Sequence, residues 1–471
     1  MRHVIGSAAA ALLLAGGVLL APAAALAAGP LGVVQLPKGS TPVTAAVSPD
    51  DSTVYVADYG TDSVTVIDAA TFEAVDTIPV GDQPYAVVVS PDGRSAYVAS
   101  SGSDAVSRID TAARTSVVDF APVPGVSALA VSPDGSTLFA AGPSSDAVTV
   151  IDTATGDVTG TIPVGQGPDA IAFSPDGTEA YVTVDGTDSV AVIDTATRTV
   201  AATVPVGDGP VAVAFSPDGA TAYVGNFTGN SVTVIDTATR IPTTAGFATR
   251  APIALSVTPD GAALYVANSG AGTVTVVDPT TLQITETVQT GGGTGKLAVS
   301  PDGATVYVTN IRYDTVYAID RSAAPVLTAV SPPATATVGS PYSYTFAATG
   351  VPSPVFAVAS GSLPEGLTLT TDGVLSGTPT QPGAATFTVS AGNGRTPDAV
   401  SAPLTITVAA AVPAPTPTPT PTPLPVVTPA GSGGAALAAT GAEPLWPLVA
   451  AIIALASGAI LFRARRTRRA R

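Results

Sequence analysis

Apolar and polar residues alternate along most of this chain in short runs, each run closed by Gly, Pro, Asp or Ser. Asp169-Ala170-Ile171-Ala172-Phe173 reads as one strand, and Ser174-Pro175-Asp176-Gly177 turns the chain. Ala180 to Thr183, Ser189 to Asp194 and Thr199 to Val204 then read as three more strands. They are rich in Val, Ile, Thr and Tyr, the residues that suit a pleated and largely buried surface. The four-strand unit recurs seven times at a spacing of 42 residues without insertion or deletion. Its turn begins at Ser48, Ser90, Ser132, Ser174, Ser216, Thr258 and Ser300. An aromatic follows at Tyr55, Tyr97, Phe139, Tyr181, Tyr223, Tyr265 and Tyr307. An Asp closes the motif at Asp68, Asp110, Asp152, Asp194, Asp236, Asp278 and Asp320. A fixed period near 40 with strand-like content predicts an all-β, seven-bladed β-propeller.

The first strand of each unit has a large face (Val47, Val89, Val131, Phe173, Phe215, Val257, Val299) and a small one (Ala46, Ala130, Ala172, Ala214, Ala298). A large face meeting a small one lets neighbouring blades interlock without voids. Pro presets φ in the turn, and Gly accepts a positive φ at its end. The repeated Asp and Pro-Asp-Gly residues therefore read as turn residues rather than as seven metal sites. Eight segments share the outer-strand register, one more than seven blades need. Leu31–Leu36 and Pro325–Val330 compete for the last place. The sandwich that follows needs Pro325–Val330 as its own first strand, so Leu31–Leu36 is expected to complete the seventh blade and close the ring.

Composition narrows the chemistry. The chain has no Cys, which excludes disulfides and Cys-based metal sites, and its one His is His3. Without that leader residue there is no imidazole for a Ser–His–Asp triad or for His-ligated zinc or haem. No cofactor and no metal site is expected. Residues 29–440 carry 11 basic and 34 acidic side chains, a net of −23. Such a surface repels nucleic acid.

The second strand of the last unit, Tyr307-Val308-Thr309-Asn310, and the Val-Ile-Asp-Thr-Ala-Thr segments at Val192 to Thr197 and Val234 to Thr239 resemble the YVTN family of β-propeller repeats. The likeness spans about residues 31–320. It implies a bacterial or archaeal surface protein. Some related propellers are enzymes, lactonases among them. From about Ala323 to Ala409 the register breaks. Leu363-Pro364-Glu365-Gly366-Leu367 and Gly377-Thr378-Pro379 in this stretch resemble the immunoglobulin-like domains of bacterial surface proteins. About 85 residues in short strands also suit a β-sandwich on physical grounds, and a spacer is its expected role.

The two ends read as addresses. Met1-Arg2-His3, an apolar run and Ala25-Leu26-Ala27 make a secretory signal peptide cleaved after residue 27. Near the other end come Leu437-Ala438-Ala439-Thr440-Gly441, the 18-residue apolar stretch Leu445 to Phe462, and a tail with six arginines. Eighteen apolar residues are about enough to span a bilayer, and the arginines would hold the tail on the cytoplasmic side. The trio resembles the sorting signal read by sortases of Gram-positive bacteria, in a form similar to that of high-GC actinobacteria. The family's usual Pro is replaced by Ala438, which leaves the sortase class open. The resemblance implies cleavage between Thr440 and Gly441 and a covalent bond from Thr440 to peptidoglycan. Val412 to Ala436, rich in Pro and Thr, would extend on the order of 75 Å as polyproline II.

The expected organisation is thus a signal peptide at 1–27, a propeller at 28–322, a sandwich at 323–409, a stalk at 410–436 and a sorting signal at 437–471, with the transmembrane helix at 445–462 and the basic tail at 463–471. The loops between second and third strands vary most, at Tyr59, Ser101, Pro143, Asp185, Phe227, Ser269 and Ile311, and the last adds Arg312 and Tyr313. Tyr59, Phe227, Arg312 and Tyr313 are the candidate ligand face, with loop packing as the competing reading. Arg108 stands where other units carry Val or Ala and calls for a partner such as a carboxylate. The functional expectation is a monomeric, cell-wall-anchored, non-enzymatic binding or scaffold module for an extracellular protein or glycan. The alternative is an extracellular hydrolase or lactonase using carboxylates and Ca²⁺ in the central channel. Carboxylates converging from several blades at the channel mouth would favour that alternative, although no charge recurs in all seven units.

Overall fold

The computed structural model describes residues 29–411 apart from 248 and 396. The predicted signal peptide, nearly all of the stalk, the sorting motif, the apolar stretch and the basic tail lie outside the described residues. Seven four-stranded antiparallel sheets follow one another. Their first strands are Pro42–Val47, Pro84–Val89, Ala128–Val131, Pro168–Phe173, Pro210–Phe215, Pro252–Val257 and Thr294–Val299. Each of these packs against the next, and the last packs against the first, so they form a ring around a central channel. The second and third strands are almost wholly buried, as in Thr305–Asn310. The fourth strands are largely exposed, as in Glu73–Pro79.

Large and small residues interlock between blades as the pattern predicts: Val89 shares a core cluster with Ala46, Val257 with Ala214, and Val47 with Ala298. Phe173 of blade 4 packs 4.7 Å, centroid to centroid, from Phe139 of blade 3, and Phe215 of blade 5 lies 4.8 Å from Tyr181 of blade 4. The turns explain the repeated polar residues. The Ser174 hydroxyl donates to Asp176 at 2.6 Å and accepts the Glu179 N–H at 3.0 Å. Asp176 also accepts the Thr178 N–H at 3.1 Å. These bonds hold the Asp176 carboxyl below its usual range, the Ser174 hydroxyl contributing most. Gly177 sits at φ +72°, where a Cβ would lie 3.3 Å from Pro133 of the preceding turn. At the other turn of the same blade, the Asp194 carboxylate accepts the Thr197 N–H at 2.7 Å, and the Thr195 hydroxyl donates to the Gly177 carbonyl at 2.7 Å.

The ring is closed from its two ends. Strand Gly29–Gln35 pairs antiparallel with Thr315–Asp320, which makes it the fourth strand of blade 7. Val34 and Leu36 are buried against Tyr307 and Val316. The Asp314 carboxylate accepts N–H bonds from Gly39 at 2.8 Å and Thr41 at 2.9 Å. On the opposite rim Asp51 replaces the turn glycine of blade 1 and accepts the Asp302 N–H of blade 7 at 3.1 Å. The competing segment goes where the sandwich needs it: Ala323–Ala329 pairs with Ala347–Val351. The sandwich continues with Tyr342–Thr345, Val374–Gly377 and Leu367–Leu369 in one sheet. Thr335–Thr337, Leu404–Ala409, Gly383–Gly392 and Val355–Gly361 form another. Phe346, Leu375, Phe387, Val389 and Ile406 fill its core.

Candidate ligand face and channel

Loops between second and third strands rest on the loops that lead into the first strands. The Phe227 N–H donates to Gly209 O at 2.7 Å, the Ile311 N–H to Gly293 O at 2.9 Å and the Tyr59 N–H to Thr41 O at 3.3 Å. In blade 7 the Asn310 carboxamide oxygen accepts the N–H groups of Arg312 at 3.0 Å and Tyr313 at 3.2 Å. The Asn310 amide donates to Thr290 O at 2.9 Å. This fixes the loop from beneath while its side chains face solvent. Ile311 is 45% exposed and Tyr313 49%, and the Arg312 guanidinium lies 5.8 Å from the Tyr313 ring centroid. Phe227 of blade 5 is 39% exposed. Tyr59 is only half-buried and lies within electrostatic range of Tyr85. Blade 7 thus gathers two of the four predicted residues; Phe227 and Tyr59 stand on blades 5 and 1.

A second constellation escaped the sequence reading. Six of the seven first strands begin with a β-bulge. The register skips Val43, Tyr85, Asp169, Val211 and Ile253. In blade 7 Gly295 and Lys296 together oppose one residue. Bulges release a residue from the ladder and re-aim its side chain. Val43, Tyr85, Asp169, Val211 and Ile253 each follow a buried Pro and are themselves partly exposed. Gly295 makes room in blade 7, because a Cβ there would meet the Thr309 hydroxyl. That hydroxyl donates to the carbonyls of Val43 at 2.9 Å and Lys296 at 3.2 Å.

Three of the bulge side chains come within electrostatic range of one another across the ring. The Lys296 ammonium of blade 7 lies 5.1 Å from the Tyr85 ring centroid of blade 2, with blade 1 between them around the ring. Asp169 of blade 4 is close enough to affect both. Burial pulls Lys296 below the usual lysine range, and Asp169 opposes the shift. Burial raises Asp169; Lys296 opposes this and Asp185 adds to it. Burial raises Tyr85, with Asp169 and Tyr59 adding. Lys296 and Asp169 do not close to the 4 Å of an ion pair. Asp169 is the one carboxylate among the bulge residues, and among the described residues no group of three or more acidic or His side chains could hold a metal ion.

Two other charged residues are accounted for locally. Arg108 lies 5.1 Å over the Phe120 ring, so its partner is an aromatic face from the outer strand of its own blade rather than a carboxylate. Asp58 stands where blades 5, 6 and 7 carry Asn226, Asn268 and Asn310. It is 1% exposed, accepts a hydrogen bond from the Thr65 hydroxyl, and leaves its Oδ1 unpartnered. Burial raises its carboxyl to about 7, against the Thr65 bonds and with help from Asp314. Clefts of about 240 and 420 Å³ lie at the opposite rim, between successive Pro-Asp-Gly turns, and are lined by turn residues such as Pro133 and Asp176.

Comparisons with known proteins agree with this architecture. A family described as "Lactonase, 7-bladed beta-propeller" matches residues 164–338. One described as "Choice-of-anchor I domain" matches residues 28–209, and "Putative Ig domain" matches residues 324–409. Among solved structures, a chain of the Kuenenia stuttgartiensis hydrazine synthase is 26% identical with a TM-score of 0.56, over 60% of this chain and 96% of that one. No curated protein matches the chain. The chain is therefore a seven-bladed propeller followed by an immunoglobulin-like domain. That set of matches fits a surface or scaffold protein, while the lactonase-type match keeps a hydrolase open.

Proposed function

We propose that the chain is an exported surface protein, anchored to the cell wall through Thr440, whose propeller is a non-enzymatic binding module for an extracellular protein or glycan. The immunoglobulin-like domain and the Pro-Thr stretch serve as spacer and stalk. The observation that carries the binding role is the loop Ile311–Tyr313. It sets an exposed aromatic and a cation on a backbone already fixed by Asn310. A preorganised aromatic–Arg pair is the kind of anchor that dominates protein interfaces, and it loses little entropy on binding. A glycan and cell-surface panel probed with wild type and with an Arg312→Ala/Tyr313→Ala double variant tests this. The double variant should lose about 30-fold or more in affinity. Binding equal to wild type would place the partner elsewhere.

The lactonase-type match supports a second reading, because the matched residues 164–338 include both Asp169 and Lys296. Under it, the lumen lysine or Asp169 would act as the base towards a cyclic ester. Hydrolysis of aliphatic or sugar lactones by the wild type, abolished in Lys296→Met, would replace the binding reading with this one.

A further inference from the structure

The lumen holds an ammonium and a carboxylate that the protein leaves without hydrogen-bond partners. Among the described residues, the Lys296 ammonium donates no hydrogen bond and lies over the Tyr85 ring face. The Asp169 carboxylate accepts none, and the two do not pair with each other. Half-buried charges without hydrogen bonds are costly, and a protein that keeps them apart leaves each free for an outside partner. Both project from bulges, which aim side chains out of the ladder, and they come from different blades towards a common lumen. Val43, Val211 and Ile253 occupy bulges in three other blades and supply the apolar part of this level, while blade 3 carries Ser127 at the same register with a buried, unpartnered hydroxyl.

We infer that the channel mouth is a binding site for a small zwitterion, a free amino acid with an apolar side chain. Its carboxylate bonds the Lys296 ammonium, its ammonium bonds the Asp169 carboxylate, and its side chain lies against Val43, Val211 and Ile253. Each contact is a charge-assisted hydrogen bond in a site partly shielded from water, where such bonds are strongest. The charge of the whole protein selects the same class. With a net of −23 on residues 29–440, the surface repels simple anions, and a simple cation would satisfy Asp169 while leaving Lys296 without a partner. A ligand carrying both charges meets neither barrier.

The test is calorimetry on the purified full-length chain in detergent, with the twenty common amino acids titrated one at a time. An apolar amino acid, with leucine as the first probe, should bind with a Kd of about 1 mM or tighter. Two analogues of leucine separate the charges: 3-methylbutylamine lacks the carboxylate and 4-methylpentanoate lacks the ammonium. Each should bind at least about tenfold more weakly than leucine, as should leucine to Lys296→Gln or Asp169→Asn. The wild-type series stands whether or not either variant folds. Failure of every amino acid to bind would overturn the assignment. So would equal binding of leucine and 4-methylpentanoate, or of acetate and phosphate at leucine's affinity, since Lys296 would then be a plain anion site.

Discussion

Replacing Asp58 by Asn should stabilise the propeller, and the gain should depend on pH in a defined direction. Asp58 is buried, and burial holds its carboxyl at about 7 rather than its ordinary 3.8. Between those two values the unfolded chain has lost the proton and the folded chain keeps it. The folded state binds more protons, so stability falls as pH rises through this window. At 1.36 kcal/mol for each tenfold change, the full cost approaches about 4 kcal/mol above pH 7. Asn removes the charge and suits the site: Asn226 donates to Thr233 at 2.9 Å and Asn268 to Thr275 at 2.9 Å, in the geometry that Asp58 and Thr65 occupy. Thermal melts of wild type and Asp58→Asn at half-unit steps from pH 4 to pH 8.5 give the difference. Contributions from the turn carboxylates, such as Asp176, are common to both proteins and cancel. The difference should be near zero at pH 4 and grow to roughly 2–4 kcal/mol by pH 8, or about 3–7 °C in Tm for a propeller of this size. A difference that stays flat across the range, or an Asn variant less stable at pH 8, would refute the assignment of Asp58 as a destabilising buried acid.

Ring closure and anchoring make two further predictions. Deleting residues 28–37 removes the fourth strand of blade 7 and the buried Val34 and Leu36. The loss of those two side chains alone costs about 3–6 kcal/mol, so the propeller transition should fall by about 5–10 °C by differential scanning calorimetry, and an unshifted melt would show that another segment fills the slot. Thr440→Ala should leave the protein in the membrane fraction or shed into the medium; if it remains with purified wall after boiling in detergent, sortase processing is not the route.

The parts of the fold that could be read in advance rest on chemistry repeated blade after blade. Ser-Pro-Asp-Gly or a close variant marks each turn because a hydroxyl, an Asp carboxylate and a positive φ are all needed there, and the bonds of Ser174 and Asp176 repeat at Ser90 and Asp92. Choosing Leu31–Leu36 over Pro325–Val330 for the seventh blade needed a count of strands and the sandwich's need for a first strand of its own. The loop anchored by Asn310 was visible as an excess of aromatic and cationic residues. The lumen was hidden for a specific reason. Gly295, not Lys296, shares the 42-residue register with Tyr85 and Asp169, so Lys296 aligned with the alanines that follow them. The bulge in blade 7 moves it one place and brings it into the ring. Asp58 left a signal that was passed over, a carboxylate in a column where three blades have Asn. Arg108 was noticed, but its Phe120 partner lies on the outer strand Thr115–Pro122, and sequence register does not say which face of that strand turns inward.

The clasp between the chain's first strand and its seventh blade also sets an order in time. Gln35 lies 279 residues before Asp314, whose carbonyl its side chain meets at 3.0 Å. At ribosomal rates of about 5–20 residues per second, roughly 15–55 s pass between making the two. Through that interval six blades can form as local antiparallel sheets, each from consecutive strands, while the oldest piece of the molecule waits for the seventh. The waiting segment carries Gly29, Pro30 and Gly32. Proline withholds a donor and glycine resists extension, so this strand is poorly suited to pair with a stranger. The segment made earliest is thus the one fitted to be used last.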